Sequence, residues 1–191
     1  MMKNLGSQVE NIWKNLRPVT KEIIVGALKK SSSVQKKIYD VHSDWELSRL
    51  LKALDDQLKK TDGKKLREIR KLADICADLL QSQTKSAEVF IQLVERALKQ
   101  QDFAKVEALC QILNERFPVS EVCEIIRQTE NPTIKALAYE ALSLFPTSSL
   151  LSLINDPVYA DIAKSALEIQ AFDYDLEEAK EILSQIEGEM F

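Results

Sequence analysis

The stretch NPTIKALAYEAL at residues 131–142 predicts a helix that packs closely against a neighbour. Asn131 can cap its first turn, and Pro132 fits the first helical position because the N–H that proline lacks has no partner there. Ala138 and Ala141 are small residues three positions apart, which let a second helix approach closely. One helix pair cannot bury such an apolar stripe alone, so we expect neighbouring pairs to stack.

Related segments recur elsewhere in the chain, as expected of an internal repeat. Residues 156–167, DPVYADIAKSAL, begin with a similar cap and the same proline, and they have small residues at the matched positions. Residues 69–80, IRKLADICADLL, match residues 134–145, IKALAYEALSLF, at an offset of 65. A shorter match to the segment at 134–138, VEALC, lies at residues 106–110.

Helical periodicity extends over most of the 191 residues, and four Gly and five Pro are too few for the turns of a strand-rich fold. Ser43 is expected to open a long helix through a capping box with Glu46, after a short helix at 34–41. Trp13 and Trp45 fall on apolar stripes and are expected in the core. Further helices are predicted at 64–81, 85–100, 102–116, 118–129, 131–145, 147–155, 157–171 and 175–187.

The segment NPTIKALAYEAL resembles the second helix of HEAT repeats, which commonly reads Asp-Pro-x-Val-Arg-x-x-Ala-x-x-Ala-Leu. DPVYADIAKSAL keeps the cap, the proline and the small residues but lacks the usual basic residue. The resemblance implies an all-α, armadillo-like fold, a right-handed α-α superhelix of about four HEAT-like helix pairs. We assign the repeats to residues 43–172, a basic helical segment packed on them to residues 1–42, and an acidic capping helix to residues 173–191.

Charge is divided unevenly along the chain. Residues 1–71 contain 17 Lys and Arg against 9 Asp and Glu, a net charge of +8. Residues 72–191 contain 9 against 21, a net charge of −12. Such a division predicts that the two ends meet different partners. The acidic repeat region argues against nucleic acid as a partner, because it would repel phosphate.

The basic stretch KKTDGKKLREIRK at residues 59–71 is a candidate site for phosphate groups. Its second lysine pair opens a helix, where cations are unfavourable, so helix stability does not explain it. The stretch is either a solvated loop or a surface that binds the phosphates of lipid headgroups or nucleic acid, or an acidic partner. The N-terminal third is similar in outline to ENTH-type phosphoinositide adaptors. The candidate anion-binding residues are Lys59, Lys60, Lys64, Lys65 and Arg67.

No catalytic constellation, metal-ligand set or cofactor motif emerges, and we predict a protein that is not an enzyme and has no cofactor. The three cysteines, Cys76, Cys110 and Cys123, have no Cys-x-x-Cys spacing and lie among aliphatic residues, as small buried residues do. The one histidine, His42, lies outside the repeats. Unpaired cysteines favour a reducing compartment, and we expect the protein to be cytoplasmic.

The C-terminal helix has an apolar stripe that includes Leu176, with glutamates on its other side, as a capping helix has. Glu-Glu-x-x-Glu at residues 177–181 also resembles the acidic block near the C-terminus of type IV (Dot/Icm) secretion effectors. That resemblance implies translocation into a host cell as an alternative localisation.

We therefore expect a scaffold that binds another protein through one face of the stack. Solvent-facing residues of the second helices would make the contacts: Lys135, Tyr139, Glu140, Tyr159 and Lys164. The alternative is an adaptor for a phosphoinositide-containing membrane surface that uses the basic N-terminal third.

Overall fold

The computed structural model describes residues 5–29 and 39–188, which form eleven α-helices and no strand. The prediction of an all-α protein is confirmed. The predicted helix at 34–41 falls mainly outside the described residues. Within the described part, no helix is both long and apolar enough to cross a bilayer. The helices are α1 (Ser7–Asn15), α2 (Pro18–Leu28), α3 (Val41–Leu58), α4 (Lys64–Gln83), α5 (Ala87–Lys99), α6 (Phe103–Arg116), α7 (Val119–Gln128), α8 (Pro132–Ser143), α9 (Thr147–Leu151), α10 (Ala160–Phe172) and α11 (Glu177–Gly188).

The chain divides after Thr84 into two compact units, which we call the N-terminal unit and the C-terminal unit. In the N-terminal unit the long helices α3 and α4 pack against each other, and the shorter α1 and α2 pack on them. The turn between α3 and α4 ends at Gly63, whose φ of +76° favours a residue without a side chain. Leu47, Leu50 and Leu54 of α3 are fully buried in this core.

The start of α3 differs from the prediction. Asp40, not Ser43, caps the helix, and Asp40 and Ser43 form the capping box together. Glu46 does not reach back to the cap, because it accepts hydrogen bonds from Arg17 and Thr20 of the neighbouring chain segment. A tertiary ion pair thus replaces the local contact expected from the sequence.

The prediction that Trp45 lies in the core is wrong. Its side chain is 58% exposed, and the Arg49 guanidinium lies 4.4 Å from the centre of the indole ring. Two positions along a helix correspond to a rotation of about 200°, so Trp45 lies opposite the buried Leu47. The arginine covers the ring by a cation–π contact instead. Trp13 is half-buried.

In the C-terminal unit α5 packs against α6 and α7, α8 against α6, α7 and α10, and α10 against α9 and α11. The small residues that suggested close packing are buried in both related segments. These are Ala138 and Ala141 of α8 and Ala163 and Ala166 of α10. Close approach of a neighbouring helix explains why small side chains occur there.

The second proline-led segment is only partly as predicted. Asp156 does accept hydrogen bonds, from the backbone N–H groups of Val158 and Tyr159 at 2.8 and 3.2 Å. These bonds make a turn that contains Pro157, and the α-helix begins three residues later than expected, at Ala160. The preceding helix α9 is also shorter than expected and ends at Leu151.

Candidate functional site

The predicted protein-binding residues of α8 occupy two different sides of that helix. Tyr139 is half-buried and shares a hydrogen bond with Ser165 of α10; burial raises the pKa of its hydroxyl. Glu140 is exposed; burial raises the pKa of the Cys110 thiol on α6, and the nearby charge of Glu140 adds to that rise. Lys135 is half-exposed and lies 3.7 Å from Glu130.

The predicted contact residues of the α10 segment are also partly engaged. The Tyr159 hydroxyl donates to the Glu124 carboxylate of α7 at 3.1 Å. Hydrogen bonds from Arg127, together with those from Gln128 and Tyr159, lower the pKa of Glu124 to about 2. Lys164 is half-exposed and directly precedes Ser165. The two tyrosines thus link helices, while the charged members of the predicted set remain accessible.

The predicted phosphate-binding residues lie around the turn between α3 and α4. Lys59 is paired with Asp56 at 3.0 Å, and Lys60 is exposed beside it. Lys65 and Arg67 are exposed on the first turns of α4. Lys64 begins that helix, but its side chain lies outside the described part.

A groove of about 460 Å³ lies between the end of α2 and the first half of α4. Ala27, Leu28 and Ile75 give it an apolar lining, and Arg67, Arg70 and Lys71 add three exposed cations. The sequence analysis included the last two of these cations in the basic stretch at 59–71 but did not name them among the candidate anion-binding residues. Their spacing of three and four residues from Arg67 was the available signal, because that spacing places them on one side of a helix.

A partly buried ionic network joins the start of α2 to the start of α3, and the sequence analysis did not anticipate it. The Arg17 guanidinium donates to both oxygens of Asp40 at 2.7 and 2.9 Å and to Glu46 at 3.0 Å. Thr20 donates a further hydrogen bond to Glu46. The arginine holds the pKa of Asp40 well below its usual range. Burial opposes ionisation of Glu46, but the bonds from Thr20 and Arg17 outweigh it and lower its pKa.

A second buried carboxylate, that of Asp44, lies near this network. It accepts hydrogen bonds from Tyr39 and, at 3.0 Å, from Thr84. Burial raises its pKa, and the two hydrogen bonds only partly offset that effect. The pKa of Asp44 is therefore shifted upward, whereas the pKa of Glu46 is shifted downward.

The cysteines have the environment of packing residues. Cys76 and Cys123 are buried, as predicted, whereas Cys110 is only half-buried. Burial raises the pKa of Cys123 to about 11 and also raises that of Cys110, so both thiols are neutral at pH 7. The described residues contain no group of three His, Cys, Asp or Glu side chains placed to hold a metal ion.

Four exposed apolar side chains gather near the ends of α8 and α10, and we call them the apolar edge: Leu144, Phe172, Tyr174 and Leu176. Leu176 was predicted on the apolar stripe of the last helix. That prediction is wrong, because α11 begins at Glu177, the residue after Leu176, and Leu176 is 41% exposed. Glu177, Glu178 and Glu181 of α11 are exposed. Their role as a secretion signal stays a prediction.

No family model matches the chain, and no curated protein or solved structure is significantly similar to it.

Proposed function

We propose that this chain is a non-enzymatic scaffold of HEAT-like helix pairs whose C-terminal unit binds another protein. The main support for this proposal is the distribution of exposed apolar side chains between the two units. Among the described residues, Val41 and Trp45 are the exposed large apolar residues of the N-terminal unit. The C-terminal unit has seven: Phe103, Leu144, Leu151, Val158, Phe172, Tyr174 and Leu176. The C-terminal unit thus offers a protein partner more exposed apolar side chains than the N-terminal unit does, and exposed apolar surface is what protein-binding sites use.

The repeat pattern supports a scaffold with HEAT-like pairs arranged as a superhelix. Matched positions of the segments at 69–80 and 134–145 are buried to the same extent. Ala73 and Ala138 are fully buried, and the exposed fractions of Ile69 and Ile134 are 1% and 0%. A repeated pattern of burial is expected when repeated units pack on their neighbours.

Within this proposal the accessible charged residues Lys135, Glu140 and Lys164 contribute partner contacts. The hydroxyls of Tyr139 and Tyr159 serve first to link helices, and their rings add contact area. Charge reversal of the three accessible residues changes the surface without removing buried atoms.

Affinity capture from the cells that produce the protein tests this assignment. We expect Lys135→Glu, Glu140→Arg and Lys164→Glu, introduced together, to lose a partner that the native chain retains. Lys99→Glu, an exposed residue at the end of α5, is the matched control and should retain it. A partner that survives the triple variant would show that the contact surface lies elsewhere.

The basic groove supports a second candidate, a surface for anionic phospholipid headgroups on the N-terminal unit. Arg67, Arg70 and Lys71 line the groove together with Asp74, and arginine suits the bidentate recognition of phosphate. Each basic residue near an anionic membrane contributes about 1 kcal/mol of binding free energy. The exposed lysines of the neighbouring turn extend the same positive surface.

Sedimentation with vesicles of phosphatidylcholine, phosphatidylserine and a phosphoinositide tests the second candidate. Arg67→Glu, Arg70→Glu and Lys71→Glu together should abolish co-sedimentation, whereas Lys52→Glu on α3 should leave most of it. Failure of the native chain to sediment with these vesicles would reject membrane binding and leave the protein-binding scaffold unaffected.

A further inference from the structure

The residues of the apolar edge lie where the end of α8 meets the end of α10 and along the connection that follows α10. The buried side chain of Gln170 on α10 donates from its amide nitrogen to the backbone carbonyls of Ser143 and Phe145, at 3.0 and 2.7 Å. Those two residues flank Leu144, which is 59% exposed. Phe172 follows Gln170 by two positions and is 76% exposed. Gln170 thus brings the end of α8 beside the end of α10.

The connection between α10 and α11 is held in a defined conformation. The Leu176 N–H donates to the Gln170 carbonyl at 3.0 Å, and the Tyr174 N–H donates to the Ile169 carbonyl at 3.3 Å. Asp175 has a φ of +57°, a left-handed conformation that most residues with a side chain disfavour. A surface that is already ordered loses less conformational entropy when a partner binds.

Acidic side chains alternate with the apolar ones along this connection. Every residue of FDYDLEE, 172–178, is exposed, and four of the seven are acidic. Lys180 pairs with Asp175 at 2.5 Å and with Glu177 at 2.8 Å, which leaves Asp173 and Glu178 without a cation among the described residues. Residues 172–180 therefore have a net charge of −3, within a C-terminal unit of net charge −10.

We propose that the apolar edge binds a basic segment of a partner protein, one in which Lys or Arg alternates with large apolar side chains. The proposal rests on the proposed function, that the C-terminal unit binds protein, and names the partner's chemistry. Burial of Phe172 and Leu144 supplies affinity, since each removes apolar surface from water. The carboxylates of Asp173 and Glu178 select cationic segments and repel acidic ones.

A fluorescent 14-residue peptide with Leu and Lys at helical spacing is the probe, and its anisotropy is measured against the full chain at 0.15 M salt. We expect Phe172→Ser with Leu176→Ser to weaken binding at least tenfold. Asp173→Lys with Glu178→Lys should weaken it by a similar factor. Val41→Ser and Glu107→Lys, which alter an exposed apolar residue of α3 and an exposed acid of α6, are the matched controls and should change the affinity less than twofold.

Three results would overturn the proposal. They are no binding of the peptide, equal binding of a version with Glu in place of Lys, and loss of binding in the two control variants as large as in the edge variants. A native chain that sediments as a dimer and becomes a monomer with Phe172→Ser would also overturn it, because the edge would then join two copies. If the edge variants have no effect but the Lys135, Glu140 and Lys164 triple variant still loses a captured partner, the scaffold function stands and only this inference fails.

Discussion

The N-terminal unit joins its helices through partly buried ionic groups, whereas the C-terminal unit joins its helices through small apolar residues. Arg17, Asp40 and Glu46 connect α2 to α3 in the first unit, and Ala138 and Ala163 are fully buried in α8 and α10 of the second. The ionic contacts require a few charged atoms in a fixed geometry. The contacts at the alanines require that these side chains stay small, because a larger one would not fit between the helices. The two units should therefore fail in response to different substitutions.

The division of charge follows the structural division. Up to Thr84 the chain has 17 Lys and Arg against 11 Asp and Glu, a net charge of +6; from Lys85 onward it has 9 against 19, a net charge of −10. Each compact unit therefore has its own electrostatic character. This supports separate surfaces for separate ligands, a basic groove in one unit and an acidic apolar edge in the other.

The largest expected effect comes from enlarging the buried alanines. Ala138→Leu should destabilise the C-terminal unit by about 2–3 kcal/mol, because the added side chain has no space between packed helices. Ala73→Leu, at the matched repeat position in α4, should cost a similar amount in the N-terminal unit if the two segments pack alike. Ala136→Leu on the exposed side of α8 is the control. Urea unfolding monitored by circular dichroism measures all three, and an equal loss in the control would contradict the packing argument.

Removal of the arginine in the ionic network should have the next largest effect. Arg17→Ala leaves the buried Glu46 carboxylate without its cation, and we expect a loss of about 2 kcal/mol, less than for a fully buried pair because Arg17 is partly exposed. Arg127→Ala removes the more exposed pair with Glu124 and should cost clearly less, because solvent screens that pair. Both tryptophans lie in the N-terminal unit, so their fluorescence during urea unfolding measures the loss in Arg17→Ala, and circular dichroism measures the loss in Arg127→Ala. Equal losses for the two arginines would remove the distinction between the units.

Acid should weaken the ionic network. The folded pKa values of Asp40 and Glu46 lie below their unfolded values, so the unfolded state binds more protons as the pH falls below about 5. The stability that these groups contribute at pH 7 is lost progressively as the pH falls through their folded values. Asp44, whose pKa is raised, acts in the opposite direction. We expect the fluorescence midpoint in urea to fall between pH 5 and pH 2, with a smaller fall in Glu46→Gln; an unchanged slope in that variant would contradict the assignment.

The smallest effects concern the two tyrosines. Tyr139→Phe and Tyr159→Phe each remove one hydrogen bond between helices and should cost about 1 kcal/mol of stability. Partner capture should be unaffected, because the rings remain and the hydroxyls are engaged within the chain. Loss of the partner without loss of stability would show that the hydroxyls contact the partner directly.

The sequence was informative where the signals are local. Proline-led starts, small residues at fixed spacing and uninterrupted periodicity predicted the all-α class and the buried positions of α8 and α10, including Ala163 and Ala166. The burial of Cys76 and Cys123 followed from their apolar neighbours. These properties depend on residues within a few positions of one another, which a single sequence displays.

The missed features depend on contacts between distant residues or on where a helix ends. Arg17 and Glu46 are 29 positions apart, and nothing local indicates that one binds the other. The same contact explains why the expected capping box of Glu46 did not form. Exposure of Phe172 and Leu176 depends on α10 ending and α11 beginning where they do, and helix boundaries are less well determined by sequence than helix centres. Trp45 could have been assigned correctly from its rotation relative to Leu47.

Hydrogen–deuterium exchange of the full chain with and without a captured partner tests the central claim most directly. We predict that the partner slows exchange of backbone amides in the C-terminal unit, above all in residues 132–145 and 164–178, and leaves α3 and α4 unchanged. Protection confined to the N-terminal unit, with residues 132–178 exchanging as in the free chain, would contradict the assignment of the C-terminal unit as the protein-binding surface.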